Sequence, residues 1–561
     1  MNAAFYLPLG LEEGLETSVQ RFGPAHDALE LHLPVVGPDD LLRWIQVLRD
    51  AREQNLARKP IAEIIRALDR VSRRFLDPGD PARREAVDSL ARAGRFTAPT
   101  LERALDDAFQ PVTRGGLTKW LASELGSVEA LDHPAPGPGG ALRRAHGPEW
   151  MLQIYAGNVP TLPIWPIYSA LLLKAALLAK TSAQEPLLAP LLARTIAEED
   201  ENLGACLAVV WWKGGSSHLD RTALSLAPAV LAFGGDDAIT SISRQSQPDA
   251  VRVLHGPKVS VSYFERRSLT YAALRGIAAR AALDISLYDQ QGCLSPHAFY
   301  VERRGEVTPA KFAEVLATAL EARAHELPRG IVAAEDAASV QLFRAQARFE
   351  SAGASAMSSA PPAMSSASPA MASGSRSMPP GLVGISWGGS PPSRGGEPAR
   401  GTPLVLESPG ATTWTVVLED RARFEPGPAY RTVRVHAVDG PEELMRAVQP
   451  SVRYIEAVGL EARGPERVRL AAAFAALGIP RVASVGQLQR PSPLGTHGGV
   501  RRLLPFVTWS SVEGSVSERA GSGRAVPKRS APHAKSAPSS KSSASRSSNR
   551  GSRPKAPRRP R

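Results

Sequence analysis

Apolar residues recur at three- and four-residue spacing through Asp39–Ala51 and Ile61–Leu76, with Arg and Glu between them. That spacing predicts two amphipathic helices. Residues 1–145 read as mixed and mainly helical. His133 to Gly140 (His-Pro-Ala-Pro-Gly-Pro-Gly-Gly) then breaks the pattern. Beyond it, apolar runs over Trp150–Ala156, Leu207–Trp212 and Ala229–Phe233 predict strands. Pro166–Ala179, Leu187–Glu198 and Leu269–Ala282 predict helices between and after them. Short apolar strands alternating with helices point to a parallel sheet covered on both faces. Late in the chain, strands are expected over Thr412–Leu418 and Thr432–Val438, and helices over Pro441–Val448 and Glu466–Leu477.

Two segments depart from this patterning. In residues 351–402 an Ala-Met-Ser-Ser-Ala repeat places Met357, Met364, Met371 and Met378 seven residues apart. Prolines within the repeat exclude a continuous coiled-coil helix, so the segment reads as a disordered low-complexity insertion. Residues 513–561 form the second. The net charge of +12 arises there: residues 519–561 carry 13 Lys and Arg and no acid, leaving 54 basic against 55 acidic residues elsewhere. The body therefore lacks the basic excess of a nucleic-acid-binding domain. The Ser, Pro and Ala of the tail cannot bury enough surface to offset chain entropy, which predicts disorder. Weak contact with polyanions and simple solubilisation are both open to it.

The longest apolar stretch, Val159 to Ala179, contains Pro160, Pro163, Pro166 and Lys174. It reads as a buried helix after a proline-rich entry, and no transmembrane segment is expected. Met1 to Glu16 shows no basic stretch leading into an apolar core, so no secretory signal is expected. Two cysteines in 561 residues exclude a disulfide framework and fit a reducing, cytoplasmic setting.

Cys293 is the strongest chemical candidate. It lies in Tyr288-Asp-Gln-Gln-Gly-Cys-Leu-Ser-Pro-His297, between a helical segment and the strand-like run Ala298–Val301. A thiol at such an element end is either a nucleophile or a small buried hydrophobe. Cys206, flanked by an apolar strand, is expected to be buried and inert. Gly384-Ile-Ser-Trp-Gly388 matches the serine-hydrolase elbow but sits inside the insertion, where the required strand and helix are missing. No phosphate-binding glycine fingerprint and no metal-ligand spacing occur. Other short elements accompany Cys293: Tyr155-Ala-Gly-Asn-Val-Pro160, Lys180-Thr-Ser-Ala-Gln-Glu-Pro186 and Phe233-Gly-Gly-Asp-Asp237.

In their order and spacing, these elements resemble the aldehyde dehydrogenase superfamily. The closest likeness is to its acyl-CoA reductase branch, the LuxC-type fatty acyl reductases. Asn158-Val-Pro resembles the family's Asn-Phe-Pro, Lys180 to Pro186 its Lys-Pro-Ser-Glu-x-x-Pro, Phe233-Gly-Gly235 its Phe-x-Gly-Ser, and Gln290-Gln-Gly-Cys293 its Gly-Gln-x-Cys. Gly495-Thr-His-Gly-Gly499 ahead of Arg-Arg-Leu-Leu-Pro fits the branch. The resemblance covers about residues 30–350 and 402–512.

The resemblance implies an α/β, aldehyde-dehydrogenase-like fold with two three-layer domains. Residues 1–145 would be the helical part of the cofactor domain, 146–255 its Rossmann-like region, and 256–512 the catalytic domain, interrupted by 351–402. It implies Cys293 as nucleophile and Asn158 as oxyanion donor. Lys180, Ser182, Phe233, Gly234 and Gly235 would hold the cofactor. It also implies a fatty acyl-CoA substrate, reduced to the aldehyde through an acyl-cysteine, and points to a homo-oligomer and an acyl-protein synthetase as partners.

Departures sharpen the picture. The oxidative members' glutamate base is missing from Leu254-His-Gly-Pro-Lys258, leaving His255 as the only local substitute, which favours thiol acyl transfer over hydrolysis. The NAD-selecting glutamate is Ala183 here, which permits NADPH. His297 could tune the thiol or be structural, and no role follows for His497. Oxidation of free aldehydes, or a non-catalytic interaction role through the basic tail, are the alternative readings.

Overall fold

The computed structural model describes residues 3–24, 26–137, 141–215, 217–358 and 403–512. An antiparallel hairpin of Thr17–Phe22 and Leu29–Pro34 opens the chain. Five α-helices follow between Pro38 and Leu125. In Pro38–Ala51 the residues Leu41, Trp44, Ile45 and Leu48 form one buried stripe. In Ile61–Leu76 the stripe is Ile61, Ile64, Ile65, Leu68, Val71 and Phe75. These are the 3.6-residue periodicities read in the sequence.

The helices pack on a five-stranded parallel sheet. Its order is Leu207–Val210, Ala176–Lys180, Trp150–Ile154, Ala229–Phe233, Val251–His255. The expected single helix Pro166–Ala179 is corrected here. It is a helix, Ile164–Leu172, followed by the second strand of this sheet, Ala176–Lys180. Both pieces are almost wholly buried, so apolar residues fill every position and no period separates helix from strand. The break is set from far away in sequence. Lys174 adopts a left-handed backbone (φ 56°). Its carbonyl accepts from Arg52 Nε at 2.9 Å and its Nζ meets Asp132 at 2.6 Å. Asp132 also accepts from Ile61 N, capping the helix Ile61–Leu76.

A seven-stranded sheet forms the second layer system, in the order Leu404–Glu407, Thr415–Glu419, Thr432–Val438, Pro296–Glu302, Val259–Phe264, Ile455–Glu461, Arg481–Ser484. Only Leu404–Glu407 runs antiparallel. Helices Tyr271–Ser286 and Pro309–Glu326 pack on it. Helix Ala334–Ser358 carries the chain past residue 351, where the insertion was expected to start; its remainder lies outside the described residues, as do residues 513–561. The Gly384–Gly388 elbow match falls there too. A small sheet pairs Thr508–Val512 with Leu142–His146, and the latter with Ala135–Pro136.

His255 ends the first sheet and Val259 begins the second. The carboxyl ends of one sheet thus meet the amino ends of the other, the place where parallel sheets offer ligand crevices. Among the described residues, no helix is long and apolar enough to cross a membrane.

Candidate active site

Cys293 sits just before the strand Pro296–Glu302, at the end of a strained turn. Tyr288, Asp289 and Gln290 all have left-handed backbones (φ 55°, 48° and 64°). A non-glycine residue there costs roughly 1–3 kcal/mol and persists only when its surroundings enforce it. The enforcement comes from a second left-handed turn, Ala429-Tyr430-Arg431 (φ 63°, 53° and 62°). Tyr430 N donates to Asp289 O at 2.9 Å, and the Asp289 carboxylate pairs with Arg431 at 2.7 Å. Gln290 Oε1 accepts from Thr432 N, and its Nε2 donates to Pro296 O at 2.7 Å. Tyr288 OH meets Thr161 Oγ1 at 3.0 Å.

Cys293 is a partly exposed residue on the wall of a cavity of about 150 Å³ at the junction of the two sheets. Val159, Leu162, Trp165, Leu231, Val253, Leu294 and Phe506 make much of that wall apolar. Burial and the nearby Glu456 push the thiol's pKa up to about 12, opposed by Arg481 and the N–H groups of Cys293 and Leu294. The resting sulfur is therefore a thiol, aimed at the cavity. Cys206 is fully buried, outside the cavity, and burial likewise pushes it up to about 12.

Asn158 stands beside this loop. Its Nδ2 donates to Gln291 O at 2.8 Å, two residues before Cys293. An amide nitrogen carries two donors, so one remains for a ligand. Arg95, which the sequence reading did not single out, ties the surrounding loops together. It donates to Gly157 O and Gln184 Oε1 at 3.0 Å and to Gln291 Oε1 at 2.6 Å.

Also on the cavity wall, the rings of His255, Phe233 and His497 cluster in mutual contact, with centroid separations of 4.8 Å (Phe233–His255), 4.2 Å (His255–His497) and 5.4 Å (Phe233–His497). Burial lowers the pKa of His255 to about 4, and burial together with His255 takes His497 well below the usual histidine range. Both rings are neutral at neutral pH, and His255 is a poor proton acceptor. His297 is buried away from the cavity and is also lowered by burial, to about 4. Glu456, absent from the sequence reading, also lines the cavity. Its Oε1 accepts from Gly498 N at 2.8 Å.

The loop that delivers His497 is tied to the N-terminal helices. Glu124 accepts from the backbone N–H groups of Arg502, Leu503 and Leu504 at 3.2, 2.8 and 2.9 Å, and from Trp120 Nε1. Arg502 also lies 4.8 Å over the Trp165 ring.

The remaining candidates fall into two groups. Phe233 turns its ring into the cavity with Cys293. Gly234 and Gly235 lead into the helix Asp236–Gln245, and a side chain at Gly235 would meet nothing within 4 Å, so its backbone is open to a ligand. Asp236 and Asp237 occupy the first turn of that helix. Lys180 and Ser182 lie off the cavity, along the carboxyl edge of the five-stranded sheet. Lys180 Nζ sits 5.4 Å over the Trp212 ring, and burial lowers its pKa. Ser182 Oγ accepts from Gln184 N at 3.1 Å. Glu185, the carboxylate of that segment, caps the helix Leu188–Glu199 through Leu187 N and Leu188 N.

Comparison with known proteins bears on this geometry. The model for acyl-CoA reductase (LuxC) matches residues 56–359 and 404–509. The long-chain acyl-protein thioester reductase of Aliivibrio fischeri is 30% identical over 229 residues, 40% of this chain and 46% of that protein. The Photorhabdus luminescens protein of the same description is 31% identical over 191 residues, 34% and 39% of the two chains. The chain thus spans less than half the length of the curated relatives it matches. Among solved structures, the aldehyde dehydrogenase KauB from Pseudomonas aeruginosa superposes with a TM-score of 0.61 at 14% identity, covering 88% of this chain and 93% of that one. The NADP-dependent glyceraldehyde-3-phosphate dehydrogenase from Bacillus halodurans C-125 gives 0.60 at 13%, covering 91% and 99%. On an aldehyde-dehydrogenase-like α/β fold, the chain belongs to the LuxC acyl-CoA reductase family.

Proposed function

We propose that this protein reduces a fatty acyl thioester to the aldehyde through an acyl group carried transiently on Cys293. The observation that carries the reading is the thiol itself, presented to an apolar cavity by a turn whose strain is held by buried partners. The Cys293 sulfur attacks the thioester carbonyl, and the donor thiol leaves. Asn158, with one amide hydrogen fixed on Gln291, offers the other to the oxyanion beside the Cys293 N–H. Losing one such donor costs about 2.7–4 kcal/mol of barrier. The apolar wall favours an alkyl chain and limits competing water. NADPH, when bound, supplies the hydride. Lys180, Ser182, Phe233 and the turn Gly234-Gly235, open at Gly235, would hold the cofactor. Ala183 and the occupied carboxylate of Glu185 leave room for a 2′-phosphate near Lys180. The names of the relatives extend the donor class from coenzyme A thioesters to acylated proteins.

The test is incubation of the full chain with tetradecanoyl-CoA, reading the mass of the Cys293 peptide and then NADPH oxidation with aldehyde formation. A Cys293→Ala protein should take up no acyl group and form no aldehyde. Aldehyde made at the normal rate by that variant sinks the mechanism. NADP+ reduction by free aldehyde without coenzyme A would replace it with aldehyde oxidation. Inactivity combined with tail-dependent polyanion binding would replace it with an interaction role.

A further inference from the structure

We infer that Glu456 is the proton acceptor for the Cys293 thiol during acyl transfer, a role that rests on the acyl-cysteine reading above. Glu456 is placed by an irregularity in the sheet. Val259 pairs with Ile455, but the next residue, Ser260, pairs with Ala457, so Glu456 is the unpaired residue of a β-bulge. Bulges re-aim a side chain that regular pairing would direct elsewhere, and they gather beside active sites.

The same residue, Ser260, anchors the cysteine on its other side. Ser260 Oγ donates to Cys293 O at 3.0 Å, and Ser260 N donates to Ser295 O at 3.2 Å. Glu456 and the Cys293 segment thus flank a single strand. About 10 Å, two strand spacings, separates the backbones. Both side chains line the same cavity, and the Glu456 charge is among the causes that push the thiol's pKa up.

One carboxylate oxygen is left for the work. Oε1 is held by Gly498 N, whereas Oε2 is buried and has no hydrogen-bond partner among the described residues. Gly498, whose N–H holds Oε1, is left-handed at φ 58°, a conformation that favours glycine. A side-chain carbon there would stand 3.3 Å from His255 Nδ1 and 3.8 Å from Glu456 Oε2. An unpaired buried carboxylate oxygen is costly, and a group kept at such cost calls for an explanation such as a catalytic role.

The alternative base, His255, packs against two neighbouring rings and binds protons poorly. Burial acts on Glu456 in the opposite direction and raises its affinity for a proton, moderated by Gly498 N, Lys258, Arg502 and Arg481. The neutral His255 and His497, the thiol itself, Asp107, Tyr288 and Arg501 are the other titratable and charged groups of the cavity lining.

The step balances without a further reactant. As the Cys293 S–H bond breaks and sulfur bonds to the thioester carbon, the proton moves to Glu456. As the tetrahedral adduct expels the donor sulfur, Glu456 returns that proton to the departing thiolate. A new thioester and a free thiol result, with no change in oxidation state.

The experiment is rapid-quench acylation of full-length Glu456→Gln by tetradecanoyl-CoA, read as the acylated Cys293 peptide. The expected rate is lower by roughly 10²-fold or more. NADPH reduction of an acyl-enzyme loaded beforehand should stay within a few-fold of wild type up to aldehyde release. An unchanged acylation rate overturns the inference. So does a variant that acylates normally but hydrolyses its acyl-enzyme more slowly, since Glu456 would then serve water. A wild-type chain that never takes up acyl instead removes the acyl-cysteine reading itself. The wild-type pH profile gives a test that needs no variant. Acylation should rise with pH as Glu456 ionises and then level off well below the thiol's own ionisation near 12. A tenfold rise per pH unit continuing toward that value means the thiol ionises unaided, and overturns the proposal.

Discussion

Arg431 and Asp289 form an ion pair at 2.7 Å, with side chains 0% and 4% exposed, that clamps two left-handed turns against each other. One turn leads into Cys293, and the other leads into the strand Thr432–Val438, which pairs with Pro296–Glu302. Because water is excluded, removing one partner strands the other's charge. Asp289→Asn should therefore destabilise the protein by about 3–5 kcal/mol. Urea denaturation of the two proteins measures this. The variant should also lose acylation at Cys293 under conditions where it remains folded, because the strained turn relaxes.

Arg95 should behave differently. It is partly exposed and lies in no hydrophobic core, yet it joins three loops around Asn158 and Cys293. Arg95→Ala should lower the acylation rate by about tenfold or more with a small change in melting temperature, since misplaced reacting groups lose rate steeply. Arg95→Lys should not restore it, because a single ammonium cannot reproduce the guanidinium fork. Equal rates in wild type and Arg95→Ala would reduce Arg95 to a surface tie.

Cofactor choice is expected to turn on position 183. Ala183→Glu would set a carboxylate close to the proposed 2′-phosphate site beside Lys180. Like charges at close range repel, so NADPH affinity should fall at least tenfold while NADH affinity holds or rises. Fluorescence titration with both nucleotides reads the ratio directly. A ratio that does not move places the 2′-position elsewhere.

Asp284 links stability to pH. Its buried carboxyl accepts from Gly486 N and Leu488 N, and burial outweighs those bonds, raising its pKa to about 7. The folded state thus keeps a proton that the unfolded chain releases near pH 4. Stability from this group is full below that pH and is lost as pH rises towards 7. Asp284→Asn should track the wild type at pH 4 and gain on it progressively, by on the order of 3–4 kcal/mol at neutral pH. Denaturation across that range checks both the sign and the window.

Sequence carried the parts of the fold that local periodicity encodes. The stripe Ile61, Ile64, Ile65, Leu68 is visible at a glance, and Gly292-Cys293 marked the end of an element. The helix-to-strand break at Lys174 was not visible, since Arg52 and Asp132 impose it from 122 and 42 residues away. Glu456 looked like any charged residue beside an apolar run, because a bulge is a property of pairing between strands and leaves no local signature. Arg95 was one arginine among many. Asp289 lies within the cysteine motif, but its partner Arg431 is 142 residues distant.

Glu124 also bears on the order of events at the ribosome. It grips backbone that is synthesised 378 to 380 residues later. The nascent polypeptide can finish both the helical layer and the cysteine turn while His497 and its flanking segment are still unmade. During that interval the cavity beside the thiol lacks one part of its wall. The part of the chamber's lining made last lies between Thr496 and Phe506, so a synthesis that aborts shortly before it should leave the sulfur less covered and more open to alkylation and oxidation.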